Sequence, residues 1–565
     1  MGPLNPPNVQ AALCVWLSLV CIVALPGAGT AAEAAGSAIC TLALPGAGSA
    51  AEKAGAAPGS PQRPIAVDGD FGEWETSDAS FADERGDADG LDLVSVSVRS
   101  DAARVAFLIE LSPELNLQSG NELTLVIDAD ADASTGDEIH GVGAELVWTF
   151  GRRRGSLWRD GRMRQAEQSE LGLLQAPTVS SDTFEVSFAR SPGGEGANAV
   201  ARAAAEDPPS SESPAPRRFA PGREAADEHG RLIESRVSFV LVDERAGSGD
   251  RLPDAGAATV ALSDGPPPPP REVSLEKEDP DDIRVLTYNV LFDGLFKRPS
   301  AFLRILRAIE PDIICFQEIW SHTARQAADQ VSLALPETTW HGAHTTEGQI
   351  VSRYPFIEHS PIDEAGNYWA VVDLPDETYD VDIGVVSAHP PCCEKEKERQ
   401  EQLDAVAAWL RERTTGNSAS LPRGTPIVVA GDMNLVGGSN QLRTLLAGEI
   451  VYEKTYGPSH PPDWDGTPLS DANPRLAGGL DNYTWRDGRS SFAPGKLDYI
   501  VYSDSALGLG NAFVLSTERL PREALERYGL RADDTLEASD HLPVVADFRP
   551  VSPDGAEHDD GGHTR

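Results

Sequence analysis

Cysteine is scarce in this chain, with six in 565 residues. That excludes a disulfide-stapled scaffold. Cys14 and Cys21 fall in an N-terminal apolar run, and Cys315, in DIICFQE, reads as core. Cys392 and Cys393 are adjacent, and neighbours rarely bridge each other without strain, so the sequence leaves their role open. Positive charge is scarce too: 47 Lys and Arg stand against 89 Asp and Glu, for a net charge of −42. Such a surface repels polyanions at long range and argues against a protein that coats DNA. No basic stripe interleaved with aromatics is found either. High acidity fits a salty habitat or calcium binding. Long apolar runs are also missing: after the N-terminus no segment has the length and apolarity of a membrane span.

The N-terminus itself reads AALCVWLSLVCIVALPGAG, and its apolar core from Ala11 to Leu25 has the length of a signal-peptide h-region. Small residues follow it, although no Lys or Arg precedes it. A signal peptide over 1–30 and a secreted, periplasmic or cell-surface protein are expected, with an uncleaved anchor as the other reading. Cys21 and Cys40 lack a good lipobox. ALPGAGTAAEAAG at 24–36 recurs as ALPGAGSAAEKAG at 43–55, so 31–63 is read as an Ala/Gly-rich disordered segment.

A chain of 565 residues is too long for one core. From 64 to 264 the signals are strand-like. VSVSV (94–98) alternates, and VAFLIEL (105–111), ELTLVID (122–128), FEVSFA (184–189) and RVSFVLV (236–242) follow. An all-β sandwich fits this spacing, with a low-complexity insertion near 191–230. GPPPPPREVSLEKEDPDD predicts a stiff, solvated linker over 265–281. Beyond it strands and helices intermix in one α/β domain, 282–549, with a polar tail over 550–565. The spacing of AFLRILRAI (301–309) and of 395–413 predicts helices, and the apolar runs IRVLTYNV, PDIICFQE, VDIGVVSAH and TPIVVAGDMN predict strands.

Those strands end in residues that coordinate or move protons: Asn289, Glu318, His389, and Asp432 with Asn434. Asp498 in KLDYIVYS and Asp540 with His541 in SDHLPVV extend the series. A rigid sheet aims such strand ends into one crevice. Residues at i and i+2 of an extended segment share a face, so Asp432 and Asn434 can address one group. Any one of these is weak evidence, because Asp, Asn and Gly more often make a turn. The ordered set is not.

TYNV, FQE, SAH, AGDMN, KLDYI and SDHLPVV together resemble the successive motifs of the endonuclease/exonuclease/phosphatase superfamily, the deoxyribonuclease I-like enzymes. The resemblance implies a four-layer α/β sandwich and a divalent-metal phosphodiesterase acting on nucleic acid or a small phosphoester. It also implies roles. Asn289, Glu318 and Asp540 would hold Mg²⁺ or Mn²⁺. His541 would be the general base, oriented by Asp498. Asp432 would position water, Asn434 would donate to phosphate, and His389 would serve the leaving group or the pentacovalent phosphate. A nuclease-type enzyme is the leading reading. The others are a sphingomyelinase-like or sugar/inositol phosphate phosphatase, and a catalytically inactive carbohydrate-binding surface protein. One departure is PPCCEKEKERQ after His389, where relatives commonly carry an apolar residue. Arg353 in SRYPF is a candidate phosphate ligand or a structural ion pair.

IAVDGDFGEWE (65–75) and ELTLVIDADADASTGDEIHGVGAEL (122–146) resemble carbohydrate-binding module family 9 and DOMON-like β-sandwiches. The resemblance implies a glycan ligand, with Trp74, Trp148 and Trp158 as stacking candidates. Asp128, Asp130 and Asp132 alternate, so their carboxylates are a candidate Ca²⁺ site. The EF-hand pattern fails at Ala133 and Ile139.

Overall fold

The computed structural model describes residues 65–74, 78–159, 161–191, 232–245, 249–267, 269, 271–344, 348–415 and 421–551. The expected signal peptide, Ala/Gly segment, most of the 191–230 insertion and nearly all of the C-terminal tail lie outside them. All the described residues fall in one compact unit. Among them no helix is long and apolar enough to cross a membrane.

The first half is a two-sheet β-sandwich. One sheet places Asp92–Ser100 and Ser181–Ala189 either side of Arg104–Leu115. The other is built on Leu123–Asp128 and Arg236–Asp243. Alternation along these strands sends Val96, Phe107, Ile109, Leu125, Phe188 and Phe239 into one core between the sheets.

The second half has four layers. One sheet holds Ile283–Asn289, Ile313–Gln317 and Val544–Pro550; the other holds Ile383–Ala388, Ile427–Asp432 and Asp498–Tyr502. Both faces of each sheet are covered, which explains why these strands are apolar throughout. Val285 and Ile313 of the first sheet meet Val385, Val428 and Ile500 of the second between the sheets. On the outer face of the first sheet, Leu286 and Ile314 pack on Phe302, Ile305 and Leu306 of the helix Pro299–Ile309. On the outer face of the second, Val386 and Val429 pack on Leu403, Val406 and Leu410 of the helix Glu396–Thr415.

The two halves share their cores. Val179 joins the outer helical layer, Val67, Leu174 and Ala176 join the inter-sheet layer, and Ala493 of the second half enters the sandwich core. The segment predicted as a solvated linker does not end that way. Val273 and Leu275 are buried, and Arg284 Nη1 donates to the Leu275 carbonyl at 2.6 Å. Two apolar residues in REVSLEKE were enough to hold it against the second half.

Candidate active site

Strand register assembles the site. Ile283–Asn289 and Ile313–Gln317 run parallel with Asn289 opposite Gln317, so Asn289 and Glu318 emerge at one end. Ile383–Ala388 and Ile427–Asp432 run parallel with Ala388 opposite Gly431, so His389 and Asp432 emerge together. Asp498 lies directly across from Asp432 on the antiparallel neighbour. Gly431 is required there: a Cβ would run into the carbonyl oxygen of Ala388. Glu318 (φ 62°) and Asn434 (φ 50°) take left-handed backbone, which turns each chain sharply off its strand.

The polar side chains are then linked. Asn289 Nδ2 donates to Glu318 Oε1 and to Asp432 Oδ2, each at 3.0 Å. Phe292 N donates to Glu318 Oε2 at 2.9 Å. The Asp432 Oδ2 atom also lies 3.5 Å from Nε2 of both His389 and His541. His541 Nδ1 sits 2.8 Å from Asp498 Oδ2, which accepts from Thr484 Oγ1 at 2.6 Å. Asn434 Nδ2 donates to the Pro390 carbonyl at 3.0 Å, which ties it to the loop after His389. Trp485 Nε1 donates to Asp540 Oδ2 at 3.0 Å.

Electrostatics follow from burial and pairing. Burial opposes charge on His541, but Asp498 and Asp432 outweigh it and carry the imidazole up to about 10. Burial pushes Asp498 up to about 6, against the pull of His541. Burial also acts to raise Asp432, but His541 and His389 hold it below the usual carboxylate range.

These groups open onto a cleft of about 560 Å³. Glu318, His389, Asp432, Asn434, Asp540 and His541 line it. Asn289 and Asp498 are fully buried and reach it through the bonds above. The donor set fits a hard divalent cation. Glu318 and Asp540 are half-buried carboxylates open to the cleft, and Asp498 Oδ1 is buried with no hydrogen-bond partner. Asp432, Asp498 and His541 also bring one ligand atom each within 4.8 Å of one another.

Other predicted residues lie elsewhere. Arg353 pairs with Asp312 at 2.9 Å and is not in the cleft. Asp128 and Asp130 converge with Glu145 rather than with Asp132. Asp132 turns back on Ser134, whose Oγ donates to it at 2.6 Å. Glu145 is out of reach of a local pattern because the sheet, not the loop, brings it in. Trp148 is core, and Trp74 donates from Nε1 to Glu185 at 2.8 Å. Cys392 and Cys393, whose role the sequence leaves open, are disulfide-bonded and line the cleft, with Cys393 in left-handed backbone (φ 66°).

Sequence reasoning passed over Thr484, Trp485 and Ser539. The first two sit in DNYTWRDG, whose turn-like composition conceals their role. Ser539 Oγ donates to the Asn289 carbonyl at 2.8 Å and accepts from His541 N at 3.1 Å, which fixes one strand end to the other.

Residues 286–541, in the second half of the chain, match the model of the endonuclease/exonuclease/phosphatase family. No curated protein matches the sequence. Among solved structures, the human Nocturnin catalytic domain with bound sulfate is 18% identical, covering 48% of this chain and 95% of its own at a TM-score of 0.30. The 3′ phosphatase NExo from Neisseria, bound to a product DNA hairpin, is 19% identical over 47% of this chain and 99% of its own, at 0.31. An AP endonuclease from Archaeoglobus fulgidus is 15% identical over 47% and 98%, at 0.30.

Proposed function

We propose that this protein is an exported, divalent-metal-dependent phosphodiesterase with nuclease-type chemistry. The observation that carries this reading is the linked set Asn289–Asp432–His541–Asp498 behind a cleft that Glu318 and Asp540 also face. Glu318 and Asp540, with Asn289 behind them, would hold Mg²⁺ or Mn²⁺, which supplies charge neutralisation at the phosphate. His541 takes the proton of the attacking water, and Asp498, locked by Thr484, fixes the ring and its tautomer. A divalent cation held by these carboxylates would favour the neutral, proton-accepting form of His541. Asp432 orients the water between the two histidines. Asn434 and His389 face the phosphate oxygens and the leaving group.

A second reading, a small-phosphoester hydrolase such as a sphingomyelinase-like or sugar phosphatase, is favoured by the cleft wall, where Lys395 is the lone Lys or Arg. Typical nucleic-acid rims are basic. For the sandwich, Ca²⁺ at Asp128, Asp130 and Glu145 is supported by their convergence, and glycan binding rests on the sequence resemblance alone.

The test is hydrolysis by the purified chain of plasmid DNA, single-stranded RNA, sphingomyelin and bis-p-nitrophenyl phosphate, with Mg²⁺, Mn²⁺ or EDTA. Cleavage that needs metal and is lost in His541→Ala supports the assignment. The substrate cleaved separates the two readings. A folded protein that cleaves none of them in either metal refutes the nuclease and sphingomyelinase-like readings.

A further inference from the structure

The exposed aromatic side chains are not spread over the surface. Among the described residues, Phe292, Trp320 and Phe492 are the exposed phenylalanines and tryptophans, and all three line the cleft. Leu291, Pro391 and the Cys392–Cys393 disulfide continue the apolar wall. An exposed apolar patch of this kind beside buried chemistry marks a binding surface.

One side of that wall is built by the sandwich. Gln118 and Thr178 line the cleft directly. Gln118 Oε1 accepts from Ala493 N at 3.2 Å. Gly495 lies so close to Thr178 that a Cβ there would sit 2.6 Å from the Thr178 methyl. The guanidinium of Arg153 stacks 4.1 Å over the Phe492 ring, and its Nε donates to Ser491 Oγ at 3.3 Å. Gln168 Nε2 donates to the Asp487 and Ser490 carbonyls at 3.2 and 3.3 Å, and Ser169 Oγ to the Gly488 carbonyl at 3.0 Å. The loop 486–496 is thus held along its length by the first half of the chain, and it follows directly on Thr484 and Trp485, which bond Asp498 and Asp540.

We propose that the β-sandwich is part of the esterase site: it fixes the loop 486–496 as one wall of a pocket that takes a flat aromatic substituent of a small phosphoester. This rests on the phosphoesterase reading for the phosphate end of the ligand. The cleft volume of about 560 Å³ suits a small ligand. A long strand needs successive cationic contacts, and the wall offers Lys395 alone. Three rings around one cleft favour a planar partner over a chain, through offset or edge-on ring packing. Arg153, behind Phe492, acts by positioning that ring and does not itself line the cleft.

The experiment is calorimetric titration of the full chain, in Mg²⁺, with phenylphosphonate, octylphosphonate and methylphosphonate. Arg153→Ala, Gln168→Ala and Phe492→Leu are titrated alongside, and hydrolysis of methyl p-nitrophenyl phosphate is followed separately. Expected is phenylphosphonate binding at least about tenfold tighter than the other two. In the three variants that preference falls to within about threefold, while methylphosphonate affinity holds. Equal binding of phenyl and methyl ligands overturns the proposal, as does tightest binding of the octyl ligand. Variants that weaken every ligand alike reduce the loop contacts to a structural role and overturn it too. Hydrolysis without aryl preference removes the pocket and leaves the phosphoesterase reading. Aryl preference without hydrolysis supports the pocket and removes that reading.

Discussion

Arg104, on a strand of the sandwich, forks onto Asp481 of the family domain, with Nη1 and Nη2 at 2.9 and 2.8 Å from its two carboxylate oxygens. Asp481 is buried, and Arg104 holds its carboxyl below the usual range against the effect of burial. Asp481 Oδ1 also accepts from Val67 N at 3.3 Å. Removing the guanidinium takes both forked bonds from a buried carboxylate and leaves it the Val67 amide and the charge of Arg519. Arg104→Ala should therefore lower unfolding free energy by about 3 kcal/mol, read from urea midpoints of the full chain. An unchanged midpoint would show that the junction does not depend on this pair.

Thr484 holds the His541–Asp498 pair from behind. Its Oγ1 donates to Asp498 Oδ2 and accepts from Leu497 N and Asp498 N, both at 2.9 Å. Thr484→Val keeps the shape and deletes the hydroxyl. Turnover should fall roughly 10- to 100-fold with KM little changed, because the loss is of ring orientation and not of substrate contact. A rise in KM alone would place Thr484 in binding instead.

Glu185 gives stability a pH dependence of definite sign. It is fully buried, and burial pushes it from 4.5 to about 7 although Trp74, Asp68 and Gly69 donate to it. The folded state then binds the proton more tightly than the unfolded chain. This group's contribution is fully present below about pH 4.5 and is lost as pH rises through about 7. Denaturation of wild type and Glu185→Gln at about pH 5 and about pH 8 isolates it: the gap should shift in favour of the variant by up to about 3 kcal/mol at the higher pH. A pH-independent gap would rule this out.

Arg353 provides a negative control. Asp312, its partner, also receives Lys277 Nζ at 2.5 Å and Arg284 N at 2.7 Å, so the carboxylate stays satisfied without it. The Arg353 side chain is 43% exposed. Arg353→Ala should cost less than about 1 kcal/mol and leave kcat/KM within about twofold. A large fall in kcat/KM would return Arg353 to the phosphate.

What the sequence disclosed divides along the physics. Ile283–Asn289 and Ile427–Asp432 were legible because strands covered on both faces are apolar runs, and their polar ends stand out against them. The helix Ala324–Ala334 was not legible: it buries mainly alanines, a weak periodic signal, although its Thr323–Gln326 capping box marks the start. The hairpin Arg154–Arg159 and Arg162–Ala166 was missed because it ends a sheet, where polar residues replace alternation. At the site, Asp432 and His541 could be named from short motifs. Thr484 and Glu145 could not, because tertiary contacts alone give them their partners.

The shared cores bear on what kind of object this chain is. Thr178 Oγ1 donates to the Leu435 carbonyl, Asn116 Nδ2 to the Val436 carbonyl and Ser180 N to the Gly437 carbonyl, all in the stretch just after Asn434. The sandwich is therefore not cargo on a tether that can be swapped for another module. A chain nicked between Asp264 and Arg271 would keep both pieces together, and the family domain made alone would expose Val179's vacated seat and leave the loops after Asn434 and Asp481 without their scaffold. The unit of engineering here is the pair.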